Sequence, residues 1–115
     1  MKTRAIAGIL FLCAITALAA DLTGTWTAAV TLDAGSGTAT FNFTQKGEAL
    51  SGSYTGTFGA AKLTGTVKGD QAEWSFDADQ VGKIVYKGSM DGPMKMKGSV
   101  EYGQLGKGTF TAEKK

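Results

Sequence analysis

The side chains that could do chemistry in this sequence are carboxylates, lysines and large aromatic residues. The 115-residue chain has no histidine and one cysteine, Cys13, which falls in a predicted signal peptide. Without imidazole or thiol groups in the folded domain, the usual acid–base shuttles, thiol catalysis and most zinc or copper sites are excluded. The carboxylates fall in predicted turns or on outward faces: Asp33, Glu48, Asp70, Glu73, Asp77, Asp79, Asp91, Glu101 and Glu113. We therefore predict a protein that is not an enzyme and has no cofactor or metal site.

Lysines on the last three predicted strands form a second group. All of them are expected to project outward: Lys83, Lys87, Lys95, Lys97 and Lys107. An anionic component of the cell envelope could bind to Lys87, Lys95 and Lys97, and Lys87 is predicted to lie opposite Lys97. The interpretation that we favour is that these lysines keep the sheet soluble and are balanced by Asp77 or Glu73 on a neighbouring strand.

Aromatic and other large apolar residues form the third group, predicted to share the inner face of the fold. They are Trp26, Phe41, Phe43, Tyr54, Phe58, Trp74, Phe76, Ile84, Tyr86, Met90, Met94, Met96, Tyr102 and Phe110. Tyrosine hydroxyls and indole N–H groups are the polar tips that could orient a bound molecule. The candidate ligand-binding residues are Trp26, Tyr54, Trp74, Tyr86 and Met96. The clustered methionines either form an adaptable apolar pocket or, as we favour, fill gaps in an ordinary core.

A recurring tetrapeptide indicates which element positions these side chains. The pattern of polar residue, glycine, hydroxyl residue and apolar residue begins at positions 23, 51, 55, 64, 87, 97 and 107. Apolar residues alternate with polar ones almost throughout, and no segment has a helical apolar stripe. Glycines within such strands mark bends or close backbone approach. Eight strands in series predict an all-β fold, an eight-stranded antiparallel up-and-down β-barrel, because closure removes the unpaired edges.

The predicted strands cover residues 22–32, 38–45, 50–58, 61–68, 71–79, 83–90, 94–102 and 106–113. Gly59 and Ala60 predict a two-residue hairpin loop, and residues 91–93 a turn that contains the only proline. With the shortest turns that keep the apolar faces together, bulky residues cover glycines of neighbouring strands. The predicted pairs are Phe43 with Gly52, Tyr54 and Trp74 with Gly65, and Tyr86 and Phe110 with Gly98.

The first twenty residues have the features of a secretory signal peptide. Lys2 and Arg4 precede an apolar run at residues 5–18, and small residues predict cleavage after Ala19 or Ala20. A retained anchor is the less favoured alternative, because the run is short for a spanning helix. Residues 21–115 are then a single domain, either periplasmic or secreted. Its 10 lysines (12 basic residues less Lys2 and Arg4) equal its 10 acidic residues, so it lacks the basic surface of a nucleic-acid binder.

Two segments of this domain resemble known barrels. The runs at residues 22–26 and 50–56 resemble the opening of avidin and streptavidin, secreted eight-stranded barrels that bind biotin, and the Gly-x-Trp start is similar to lipocalins. The remainder resembles small secreted bacterial β-proteins with repeated Leu-x-Gly strands. The avidin resemblance implies a biotin-contacting role for Tyr54. Ala28 and Leu32 stand where that family has asparagine and serine, however, so the resemblance implies the architecture and not biotin binding.

Two functions follow as expectations. One is an exported, non-enzymatic barrel that binds a small apolar ligand in its interior, because eight strands enclose just enough space for side chains or one small ligand. The other is a solid-cored structural or interaction module that acts through the outer lysines at the cell envelope.

Overall fold

A computed structural model describes residues 21–79 and 81–115. The predicted signal peptide and its cleavage positions lie outside these residues. The eight strands are β1 (Gly24–Leu32), β2 (Gly35–Lys46), β3 (Ala49–Gly56), β4 (Gly59–Lys68), β5 (Gln71–Ala78), β6 (Gly82–Met90), β7 (Lys95–Tyr102) and β8 (Lys107–Lys114). A single 3-10 turn at Gly103–Leu105 links β7 to β8. Among residues 21–79 and 81–115, no helix has the length and hydrophobicity of a membrane-spanning segment.

Each strand pairs antiparallel with the next, and the last strand pairs with the first. The β1–β8 ladder runs from Trp26 opposite Lys114 to Leu32 opposite Gly108 and closes the sheet. The predicted fold, an eight-stranded antiparallel up-and-down β-barrel, is confirmed. Closure satisfies the backbone groups that an open sheet would leave exposed at its two edges.

Strand alternation separates an apolar interior from a polar exterior. The buried side chains of the described residues are all hydrophobic, and the predicted outward carboxylates and lysines are all exposed. Met96 is buried, and Met90 is half-buried against the core. The inward placement predicted for Met94 is wrong, because this residue lies in the β6–β7 connection with 47 % of its surface exposed.

The strand glycines allow neighbouring backbones to approach closely, as their sequence positions predict. A Cβ atom on Gly65 would lie 2.0 Å from the carbonyl oxygen of Glu73 and 2.7 Å from the Cα of Trp74, its partner across the β4–β5 pair. Gly98 has the same relation to β6, with 1.9 Å to the carbonyl oxygen of Lys87. Only glycine avoids these contacts, so the repeated glycines are a requirement of the strongly curved sheet.

Three of the five predicted glycine pairs are confirmed: Phe43 with Gly52, Trp74 with Gly65, and Phe110 with Gly98. The pairing of Tyr54 with Gly65 is wrong, because Tyr54 lies opposite Ala61. The β3–β4 turn is formed by Thr57 and Phe58 and not by Gly59 and Ala60. Placing Phe58 at the turn lets its ring pack against Tyr102, with 5.9 Å between ring centroids.

The β6–β7 register also differs from the prediction. Tyr86 lies opposite Val100 and not Gly98. The connection occupies residues 91–94, one residue more than predicted, and the N–H of Asp91 donates to the carbonyl of Lys95 at 2.8 Å. The prediction that Lys87 lies opposite Lys97 is consequently wrong as well, because Ser99 of β7 occupies that position.

Candidate ligand site at the open end of the barrel

One end of the barrel is closed by the segment that precedes β1. Leu22 is fully buried, and its N–H donates to Oε1 of Gln45 at 2.8 Å. The indole N–H of the buried Trp26 donates to the Leu22 carbonyl at 2.9 Å, and the N–H of Gln45 donates to Oγ1 of Thr23 at 3.0 Å. These hydrogen bonds hold residues 21–23 across the closed end, so no ligand can enter there without unfolding the segment.

The middle of the barrel is filled by aromatic rings. Trp74 and Tyr86 are stacked, with 5.3 Å between ring centroids, and both meet Phe41 edge-on at 5.3 and 4.9 Å. Met96 packs above Gly88, where a Cβ atom would lie 2.6 Å from its sulfur. The indole N–H of Trp74 has no hydrogen-bond partner among the described residues. The rings of Phe41, Phe43, Tyr86 and Phe110 all have centroids within 5.8 Å of the Trp74 ring centroid.

The opposite end contains a pocket of about 160 Å³. Its wall comes from the β1–β2 hairpin, the β3–β4 turn and the 3-10 turn before β8. The lining residues are Val30, Leu32, Ala34, Gly35, Ser36, Gly37, Thr38, Tyr54, Thr57, Phe58, Tyr102 and Leu105. The β1–β2 hairpin forms one side because it extends past β3, whose last residue, Gly56, pairs with Ala39. No charged residue lines this pocket, which therefore favours an uncharged ligand.

Three tyrosine hydroxyls lie beside this pocket. The hydroxyls of Tyr86 and Tyr102 are hydrogen-bonded to each other, and that of Tyr54 accepts the N–H of Phe58 at 3.3 Å. All three side chains are at least 96 % buried. Burial raises the pKa of Tyr102 to about 12, and it raises the pKa of Tyr86 further, with the Tyr102 phenol adding to this effect. These two phenols therefore remain protonated near neutral pH and can donate hydrogen bonds.

The structure brings the five predicted ligand-binding residues into the barrel interior. Tyr54 lines the pocket, whereas the other four lie in the filled part of the barrel, outside its lining: Trp26, Trp74, Tyr86 and Met96. Their roles in binding stay predictions. Phe58 and Tyr102 are predicted to face inward, and the hydroxyl of Tyr102 is one of the polar tips that could orient a bound molecule, but neither residue is among the five candidates. Both lie on the wall of the pocket. Leu105 was missed altogether, because it lies in an irregular turn without a periodic signal.

The outer lysines mostly lie opposite acidic residues. Lys87 faces Glu73 across the β5–β6 pair, and Lys95 faces Glu113 across the β7–β8 pair. Lys97 differs, because its partners are Ser89 on one side and Thr111 on the other. The balancing role predicted for Glu73 is thus consistent with the register. Among the three lysines predicted to bind an anionic envelope component, Lys97 is the one without an acidic cross-strand partner.

Across residues 21–79 and 81–115, no group of three or more histidine, cysteine, aspartate or glutamate residues is arranged to hold a metal ion. The carboxylates are exposed, and no histidine is available to activate a hydroxyl group. No family model and no curated protein matches this chain. A functional assignment consequently depends on the geometry of the pocket.

Proposed function

We propose that this protein is an exported, non-enzymatic barrel that binds one small apolar molecule at its open end. The observation that carries the proposal is the uncharged, partly apolar pocket above a filled core. Its volume of about 160 Å³ is close to that of an engineered cavity of about 150 Å³ that binds benzene. A single ring or a short branched chain fits this space, whereas larger carrier ligands would require a pocket of at least about 300 Å³.

Several features of the chain support export. Lys2 and Arg4 precede an apolar run at residues 5–18 and small residues at positions 19 and 20, which is the pattern of a secretory signal peptide. Cleavage after Ala19 or Ala20 would leave Leu22, the residue that closes one end of the barrel, in place. Intact mass measurement of the protein from periplasmic and culture fractions tests this. We expect a chain that begins at Ala20 or Asp21, and a full-length chain retained in the cytoplasm would contradict export.

Binding is tested with toluene as the probe. The processed protein is purified from the expressing cell and titrated with toluene, and amide shifts are followed by NMR. We expect saturable shifts around Phe58, Tyr102 and Leu105, with little change near Trp26. Replacing Leu105 by tryptophan should fill the pocket and weaken binding roughly tenfold, since one lost apolar contact of this size is worth about 1 to 2 kcal/mol.

The matched control is Met94→Trp, which adds an indole at an exposed position in a connection at the other end of the barrel. This variant should bind toluene as the parent protein does. If no amide shifts appear at saturating toluene, there is no binding site at the open end. Unchanged shifts in the Leu105→Trp variant would also contradict a site there.

A second function, an interaction module at the cell envelope, is favoured by one observation. Lys97 has no acidic cross-strand partner, Lys95 lies on the same strand, and Lys87 lies on the adjacent strand. Replacing Lys87 and Lys97 by glutamate should abolish binding of the protein to isolated envelope if this face binds an anionic component. Unchanged binding would argue against it, and a Lys46→Glu/Lys62→Glu variant, with its changes at exposed positions on strands β2 and β4, controls for net charge.

A further inference from the structure

We infer that the molecule bound at the open end carries an uncharged hydrogen-bond acceptor, such as a ketone oxygen, that meets the hydroxyl groups of Tyr54 and Tyr102. This inference rests on the proposed function, because it specifies the ligand of the same pocket. The evidence is a count of hydroxyl protons and of their acceptors in the wall beside the pocket.

A phenol hydroxyl has one proton to donate and two lone pairs that accept. Tyr86 and Tyr102 share one hydrogen bond, so one of their two protons is used and the other is left over. Tyr54 uses a lone pair to accept the Phe58 N–H, and its own proton has no acceptor within the described residues. Two hydroxyl protons thus have no acceptor supplied by this part of the chain.

The two hydroxyl protons belong to one small region. Tyr54 and Tyr102 both line the pocket. Phe58 connects them, because its N–H donates to the hydroxyl of Tyr54 and its ring centroid lies 5.9 Å from that of Tyr102. Of the Tyr86–Tyr102 pair only Tyr102 lines the pocket, so its proton is free to meet an occupant when Tyr86 donates the hydrogen bond that the two share. Because buried polar groups are usually hydrogen-bonded, this proton and that of Tyr54 indicate that the occupant supplies the acceptor.

The acceptor is more compatible with a neutral group than with an anion. No lysine or arginine lines the pocket, and a buried carboxylate without a cationic partner is strongly disfavoured. A carbonyl oxygen has two lone pairs and can accept from two hydroxyls at once. A single-ring aryl ketone combines such an oxygen with an apolar body that the pocket can accommodate.

Acetophenone, α-methylstyrene and benzoate are suitable probes because they share a phenyl ring. α-Methylstyrene has the shape of acetophenone but carries a CH₂ group in place of the oxygen, and benzoate carries a negative charge. With the processed protein in the same NMR titration, we expect acetophenone to bind roughly tenfold more tightly than α-methylstyrene, as expected for two neutral hydrogen bonds. Benzoate should be the weakest ligand of the three.

Phenylalanine variants test the individual hydroxyls. Tyr54→Phe and Tyr102→Phe should each lower the affinity for acetophenone by about threefold, and the double variant should bind acetophenone and α-methylstyrene equally. Tyr86→Phe should retain the preference, because Tyr102 then keeps its own proton to donate. The control is the affinity for α-methylstyrene, which should stay within about twofold of the parent value in all four variants if the apolar pocket is intact.

The outcomes separate this inference from the function on which it rests. Equal affinities for acetophenone and α-methylstyrene in the parent protein would overturn the hydrogen-bonding role while leaving the apolar site in place. Benzoate as the tightest ligand would overturn the choice of a neutral acceptor. If none of the three probes binds, and toluene also fails, the proposed function itself is wrong.

Discussion

The two ends of this barrel are held by different interactions. At the closed end, Leu22 and Trp26 are fully buried, and hydrogen bonds among residues 22, 23, 26 and 45 fix the segment that precedes β1. At the open end the half-buried ring of Phe58 packs on Tyr102, and two phenol hydroxyls lack acceptors among the described residues. The comparison predicts that the closed end contributes more to stability than the open end, where we propose that a ligand binds.

The strongest test of this division is to remove the central ring of the closed end. Trp26→Ala deletes a fully buried indole and its hydrogen bond to Leu22, so we expect the free energy of unfolding to fall by about 4 kcal/mol. Phe58→Ala at the open end should lower it by only about 1 to 2 kcal/mol, because this ring is partly exposed. Urea unfolding followed by circular dichroism measures both.

Trp26→Phe serves as the control at the closed end. It keeps an aromatic ring and loses the N–H donor, so its destabilisation should lie between zero and that of Trp26→Ala. If Phe58→Ala proves as destabilising as Trp26→Ala, the two ends do not differ in the way we describe.

Two glycines provide a second comparison. Gly65→Ala would place a Cβ atom 2.0 Å from a backbone carbonyl oxygen of β5, and the required shift of backbone should lower the free energy of unfolding by about 3 kcal/mol. A Cβ atom on Gly37, in the hairpin beside the pocket, would have only one atom within 4 Å, the Oγ1 of Thr57 at 3.5 Å. Gly37→Ala should therefore change stability by less than about 0.5 kcal/mol.

Thermal unfolding of the two alanine variants, recorded side by side, checks this pair. Similar midpoints would mean that the sheet can relax around Gly65, and the close approach of β4 to β5 would then not be a structural requirement.

Alkaline pH should weaken the fold through the open-end tyrosines. The pKa of Tyr102 is raised from 10.0 to about 12 by burial, and that of Tyr86 is raised as well. Their contribution to stability is complete below pH 10 and is lost as pH rises through the folded-state pKa, because the unfolded chain releases these protons first. Between pH 10 and 11, each tyrosine that stays protonated in the folded state but ionises in the unfolded state lowers the free energy of unfolding by at most about 1.4 kcal/mol.

Urea unfolding at pH 8, 10 and 11 measures this loss, with the ultraviolet absorbance of phenolate as a second readout. A Tyr86→Phe/Tyr102→Phe variant is the control, and its stability should decline less between pH 10 and 11. Parallel pH profiles for the two proteins would show that these phenols are not protected from ionisation by the fold.

The number of strands, the order of the strands and the residues on their inner faces could be predicted, because the alternation of apolar and polar residues is a local property of the sequence. The two register errors have a common physical cause. In the β3–β4 pair, Tyr54 lies opposite residue 61 and not residue 65, and in the β6–β7 pair, Tyr86 lies opposite residue 100 and not residue 98. The pairing is therefore shifted by four positions in the first case and by two in the second, and both numbers are even. Such a shift keeps every side chain on the same face, so the hydrophobic pattern cannot detect it.

The position of the pocket could be predicted even less well. Tyr54 and Tyr102 were placed on the inner face, but which part of the interior is filled depends on packing among distant residues. Phe41 meets Trp74 and Tyr86 in the middle of the barrel, and this contact joins strands that are far apart in sequence. Leu105 joins the pocket from an irregular turn, for which no strand pattern exists.

The smallest expected effect concerns the geometry of one hydroxyl at the open end. A Cβ atom on Gly56 would lie 2.6 Å from the hydroxyl oxygen of Tyr54, so Gly56→Ala should displace the phenol and weaken its contact with a ketone. We expect the affinity for acetophenone to fall by about threefold and the affinity for α-methylstyrene to change little. Because the clash is with the end of a side chain, stability should decline by less than about 1 kcal/mol, in contrast to Gly65→Ala. The variant Tyr54→Phe/Gly56→Ala shows whether the two changes act on one contact: its affinity for acetophenone should equal that of Tyr54→Phe alone, and a further loss would place the effect of Gly56 elsewhere in the pocket.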